Sequence, residues 1–106
     1  MVSNMDESEY FTQIGYELAL GKDKVGWMAI SAYDIIKYST MTEEQIREDV
    51  EQWTLTGQWA YQVANAIAIW LKPMLLDDEA RLEKFDELQE YVIDGFIKAI
   101  YMLISE

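Results

Sequence analysis

The sequence predicts an all-α fold, an irregular four-helix bundle with two long helices over about 43–71 and 78–104 preceded by two shorter ones. Three observations point there. Apolar residues recur at alternating spacings of three and four, the period of one face of a helix. Only five glycines and one proline punctuate 106 residues, leaving room for long uninterrupted elements. No run alternates apolar and polar residues with the two-residue period of a half-buried strand. At 51% hydrophobic content the chain can bury one core, so residues 1–106 are expected to form a single acidic helical domain.

The first helix is expected from about Glu7 to Leu20, with Tyr10, Ile14 and Leu18 on one stripe and Gly21 as its stop. The second is expected from about Lys24 to Tyr38, with Val25, Met28, Ala32 and Ile35 or Ile36 facing inward. Gly15 and Gly26 argue against both, at about 1 kcal/mol each relative to Ala in a helix interior. The third has the clearest start, Thr42 and Gln45 forming a capping-box pattern. Ile46, Val50, Trp53, Gly57, Ala60, Ala64, Ile67 and Leu71 then hold one register. One continuous helix from about Glu43 to Leu71 follows, ended by Pro73, with a break near Thr56 and Gly57 as the alternative. A second apolar stripe at Trp59, Val63, Ala66 and Trp70 predicts that its later half is the most buried helix. The fourth helix is expected from about Asp78 to Ile104, capped by Asp77, with Leu82, Phe85, Gln89, Val92, Phe96, Ile100 and Leu103 inward.

Composition narrows the chemistry. The chain has neither cysteine nor histidine, which removes thiolate nucleophiles, the usual general base and the commonest transition-metal ligands. No Gly-rich phosphate loop, dinucleotide fingerprint or calcium-loop pattern is present. The expectation is a chain that is not an enzyme, with no cofactor and no metal. A glycosidase-like carboxylate pair would need a pocket that a compact bundle of this size seldom offers. Residues 1–10 carry Asp6, Glu7 and Glu9 without a basic or apolar leader segment, so a cytoplasmic location is the expectation. No apolar run approaches the ~18–20 residues of a membrane span.

Twenty acidic against eight basic residues give a formal net charge of -12. Such a field disfavours direct binding to nucleic acid or membrane and steers a basic partner inward. Some acids have a local explanation, because negative charge in a first helical turn is favoured by the helix dipole. That covers Glu7, Glu9, Glu43, Glu44 and the Asp77, Asp78, Glu79 run, which otherwise resembles a carboxylate-only cation site. Glu83, Asp86, Glu87, Glu90 and Asp94 lie deeper, three or four residues apart, and form one stripe. Like charges at this spacing each cost an isolated helix about 0.2–0.5 kcal/mol. Lys84 with Glu87 and Asp94 with Lys98 offset part of that, while Glu48, Asp49 and Glu51 form a smaller cluster relieved by Arg47. The stripe is either a solvated face that maintains solubility or a docking surface for Lys and Arg on a partner.

On the docking reading, the partner-binding residues are Glu83, Asp86, Glu87, Glu90, Asp94, Glu48, Asp49 and Glu51, with Tyr91 as an aromatic anchor. Carboxylates in a row can stand in for phosphates, so the partner expected is a basic protein such as a nuclease toxin or nucleic-acid enzyme. The chain would then be an inhibitor acting by occlusion, in the manner of an immunity protein, an antitoxin or a mobile-element inhibitor, and a monomer or homodimer. The other reading is a self-associating structural or adaptor protein using the apolar segment Phe96–Ile104.

Overall fold

In a computed structural model, residues 6–21, 30–55 and 60–105 are described, and among them the chain is entirely helical, without strands. The elements are α1 (Glu7–Leu20), α2 (Ala32–Ser39), α3 (Glu43–Leu55), α4 (Ala60–Leu71), a 3-10 turn (Lys72–Met74) and α5 (Asp78–Ser105). Lys24, Val25, Gly26, Met28, Thr56, Gly57 and Trp59, which figure in the sequence reading, lie outside the described residues.

Local chemistry sets the helix ends. Asp6 accepts a hydrogen bond from the Glu9 amide at 2.9 Å, and Gly21 closes α1 in the left-handed conformation at φ 69° that glycine adopts without strain. Hydrogen bonding to Glu9 and Ser8 holds the Asp6 carboxyl below its usual range. Thr42 and Gln45 cap each other's backbone amides at 3.0 and 3.2 Å, and Asp77 accepts from the Ala80 amide at 2.8 Å, as their sequence patterns predict.

Three expectations are corrected. The second helix does not run from Lys24 through to Tyr38: Ser31 has extended backbone (φ -77°, ψ 165°), and α2 starts at Ala32 behind a reciprocal Ser31–Asp34 cap. Ala32 and Ile36 consequently face solvent, and Tyr38 is the residue of α2 that enters the core. The register over 43–71 is carried by two helices, α3 and α4, which pack against each other. Among the described residues five α-helices thus stand where four were expected, with Thr56 and Gly57, where the alternative break was placed, outside them. Finally, the central helix is α5 rather than the segment before Leu71, because α5 touches each of the other four helices. A helix with neighbours on several sides must bury more than one stripe. Leu88, Ile93, Gly95 and Ala99 therefore join Val92, Phe96 and Ile100 inside, while Leu82, expected inward, lies exposed ahead of those contacts.

The centre of the fold is the crossing of α1 on α5. The two run parallel, with Glu7 beside Lys84 at one end and Tyr16 beside Met102 toward the other. They meet at two glycines. A methyl group on Gly15 would sit 1.9 Å from the Val92 carbonyl oxygen, and one on Gly95 would sit 1.8 Å from that of Thr12. Each backbone thus occupies the space a side chain would take on the other, a geometry that brings Cα hydrogens against carbonyl oxygens. Phe11, Leu18, Val92 and Phe96 pack into the core around this contact. Helix α4 runs antiparallel to α1, since Trp70 meets Glu7 and Tyr10 at one end while Gln62 shares a hollow with Glu17 at the other.

Candidate partner-binding surface

The structure joins the two acidic clusters across a single seam. From α3, Arg47 reaches α5 and pairs with Asp94 and, at 3.4 Å, with Glu90. Glu44, Glu48 and Glu51 stand within one turn of Arg47 on α3, so the α3 acids border the α5 stripe. The three side chains of this triad are partly exposed, although Arg47 Nη1 is buried without a hydrogen-bond partner among the described residues, and pairs of this kind contribute at most about 1 kcal/mol apiece, so their main effect is to set where α3 lies on α5. The Asp94–Lys98 pair expected from the sequence is replaced by Asp94–Arg47, because the fold presents a cation from another helix.

At the amino-terminal end of the stripe, Lys84 donates to Glu7 at 2.7 Å and to Glu87 at 3.0 Å. These bonds, Glu7 first, raise the Lys84 ammonium above its ordinary value. Glu7 also accepts from the Trp70 indole at 3.1 Å, so a residue whose place in a first turn seemed explanation enough ties α1, α4 and α5 together. Glu83 and Asp86 are exposed and form no ion pair among the described residues. Tyr91, expected as an aromatic anchor among the carboxylates, is half-buried and packs against the core.

The α3 acids divide by face. Glu48 is exposed and Glu51 half-buried. Asp49 turns toward α2, where it accepts from the Tyr38 hydroxyl at 2.6 Å and pairs with Lys37 at 3.3 Å. Burial, together with this hydrogen bond and the Asp49 charge, pushes the Tyr38 phenol far above the ordinary tyrosine range. At the start of α5, Asp77 is the cap and Asp78 pairs with Arg81 at 3.1 Å. Among the described residues no group of three acidic side chains converges as a metal ion would need.

A second surface escaped the sequence reading. Tyr10 stacks on Trp70 with ring centroids 4.8 Å apart, and Phe11 meets both rings edge-on. Beside this cluster two hollows of about 370 and 380 Å³ run along the α1–α4 boundary and share Tyr10, Ala66 and Ile69. Ile69 is 66% exposed and Tyr61 82%. The signal was present in the sequence. Between Ala60 and Leu71 only Gln62 and Asn65 are polar, and an apolar circumference was taken to mean burial. Because α4 packs at the edge of the fold, Tyr61, Asn65, Ala68 and Ile69 on that circumference are exposed.

The two surfaces differ in character: one carries carboxylates on the paired helices α3 and α5, the other apolar relief between α1 and α4. No described helix is long and apolar enough to cross a membrane. No protein family, characterised protein or solved structure matches the chain.

Proposed function

We propose that this protein is a small acidic binding protein that occludes the cationic surface of a protein partner, one whose own basic groove handles nucleic acid, as immunity proteins, antitoxins and mobile-element inhibitors do. The observation that supports it most is how charge is distributed. Lys37, Arg47, Arg81 and Lys84 are each engaged in ion pairs within the chain, whereas Glu48, next to Arg47 on α3, and Glu83 and Asp86, one to two turns before Glu90 on α5, stand exposed. Internal pairing engages four of the six described Lys and Arg, with Lys72 and Lys98 standing exposed, and leaves an outward excess of carboxylates, on a chain whose formal charge is -12. These acids ride on helices held by the core, so they would meet a row of Lys and Arg with little ordering cost. Long-range attraction would supply the encounter rate.

The immobilised protein should retain, from a heparin-binding cell fraction at ~50 mM salt, a basic protein that a step to ~500 mM releases, since the screening length falls severalfold over that range. Its association rate should drop at least about tenfold between those conditions, and again when Glu48, Glu83 and Asp86 are changed together to Gln, Gln and Asn. Equal retention by that triple variant, or a rate indifferent to salt, contradicts the proposal.

Self-association as a structural or adaptor protein is the second reading. In the segment it draws on, Phe96, Ala99 and Ile100 are buried within the chain, which leaves Tyr101 as the exposed aromatic. Most of that apolar surface is already covered, and we place this reading behind the first.

A further inference from the structure

We infer that the trough between α1 and α4 receives an amphipathic helix whose apolar face is flanked by Lys and Arg. This rests on the proposed function only for the sign of the partner's charge, since the trough is a different surface from the α3–α5 seam. Its floor is the small side chain of Ala66, with Tyr10 and Ile14 on the α1 wall and Ile69 on the α4 wall. From Gln62 to Pro73 it follows eleven residue steps of backbone, roughly 17 Å at helical rise, which matches three turns of an incoming helix. Among the described residues there is no strand whose edge could pair with an extended peptide. A helix, whose own backbone is satisfied, can dock by side chains alone.

Charge chooses among the apolar helices that would fit. Glu17 lines the trough and accepts from Gln13 at 2.9 Å, with no cation on it among the described residues. The side-chain oxygen of Gln62, on the α4 wall, has no donor among the described residues. Among the described residues no Lys or Arg lines either hollow. A guest helix with basic flanks would place a donor at Glu17, and the field of the whole chain favours it. A second copy of this chain would instead bring another formal charge of -12 to the contact. Burial of Ile69 and of the exposed part of Tyr10 supplies the apolar term.

The test uses a fluorescein-labelled peptide of about 18 residues, some five helical turns, with Leu at i, i+3, i+4 and i+7 and Lys and Arg on the flanks. A control peptide has Glu at every flanking position. Fluorescence anisotropy should show saturable binding of the basic peptide and none of the acidic one. Ile69→Asp, at a solvent-facing position that tolerates charge, should weaken binding at least about tenfold, and Glu17→Lys severalfold. Ile36→Asp, on the exposed face of α2, and Glu83→Gln with Asp86→Asn, on the seam, should each change it less than about twofold. Those seam substitutions keep failure here separate from failure of the proposed function. Equal affinity for wild type and Ile69→Asp, equal binding of the acidic peptide, or an equal loss with the seam variant each overturns the inference. A concentration-dependent dimer in sedimentation that Ile69→Asp abolishes overturns it too, assigning the trough to a second copy.

Discussion

Replacing Gly15 by alanine separates local propensity from tertiary packing, because the two predict opposite signs. Gly15 lies in the interior of α1, where alanine is favoured by about 0.5–1 kcal/mol, so the sequence alone predicts a more stable protein. The structure predicts the reverse. The added Cβ would lie 1.9 Å from the Val92 carbonyl oxygen, 2.8 Å from the Val92 carbonyl carbon and 3.0 Å from the Phe96 amide nitrogen, all backbone atoms of a helix that cannot rotate away. Restoring ordinary contact at 3.4 Å requires α1 and α5 to separate by about 1.5 Å along that line, enough to forfeit half or more of each dispersion well at the crossing. Overpacking of this kind typically costs about 1–3 kcal/mol and occasionally more, and a backbone-to-backbone clash belongs at the upper end. After the propensity gain, a net loss of about 2–3 kcal/mol remains, or roughly 10–20 °C in Tm for a domain of this size. Urea unfolding followed by far-ultraviolet circular dichroism reads this directly. Gly95→Ala should behave alike, because its Cβ would lie 1.8 Å from the Thr12 oxygen. The double variant should lose less than the sum, since one separation accommodates both methyls. A midpoint for Gly15→Ala equal to or above wild type would refute the close crossing of α1 and α5.

Two further perturbations probe the periphery. Leu75 sits at φ 55° with its side chain 89% exposed, so Leu75→Gly should relieve a left-handed strain of about 1–2 kcal/mol against a glycine entropy cost near half that, leaving stability unchanged or raised by up to ~1 kcal/mol. A loss above ~1 kcal/mol in the same unfolding assay would show that the side chain, not the backbone, matters there. Tyr38→Phe should cost about 1–2 kcal/mol, because the Tyr38 hydroxyl is the closest donor to the Asp49 carboxylate. The folded phenol titrates above its unfolded value near 10, so this contribution is intact below about pH 10 and is lost as pH rises past that value toward the folded one. Ultraviolet titration should accordingly find one tyrosine that ionises only as the protein unfolds; ordinary titration of all seven would contradict the buried contact.

Much of the fold was legible where the determining chemistry is local. The Thr42–Gln45 box, the Asp77 cap and the Gly21 stop each depend on atoms within four residues, and each stands where the pattern predicts. The same class of signal at Ser31 and Asp34 was passed over in favour of a longer apolar period from Lys24. Of the acidic residues, the exposed positions of Glu83, Asp86 and Glu48 follow from helical spacing. The partners of Asp94, Glu90, Asp49 and Glu7 do not, since Arg47, Tyr38, Lys84 and Trp70 arrive from elsewhere in the chain.

The residues by themselves determined that this protein is helical and strongly anionic, because periodicity, caps and net charge are sums over neighbours along the chain. Only the tertiary structure decided which helix is central, which acids are neutralised and which apolar face stays open. Those outcomes depend on how closely two backbones can approach. At Gly15 and Gly95 that distance is set by the absence of two side chains, which in sequence reads as a weakness of each helix and in space is the contact that joins them.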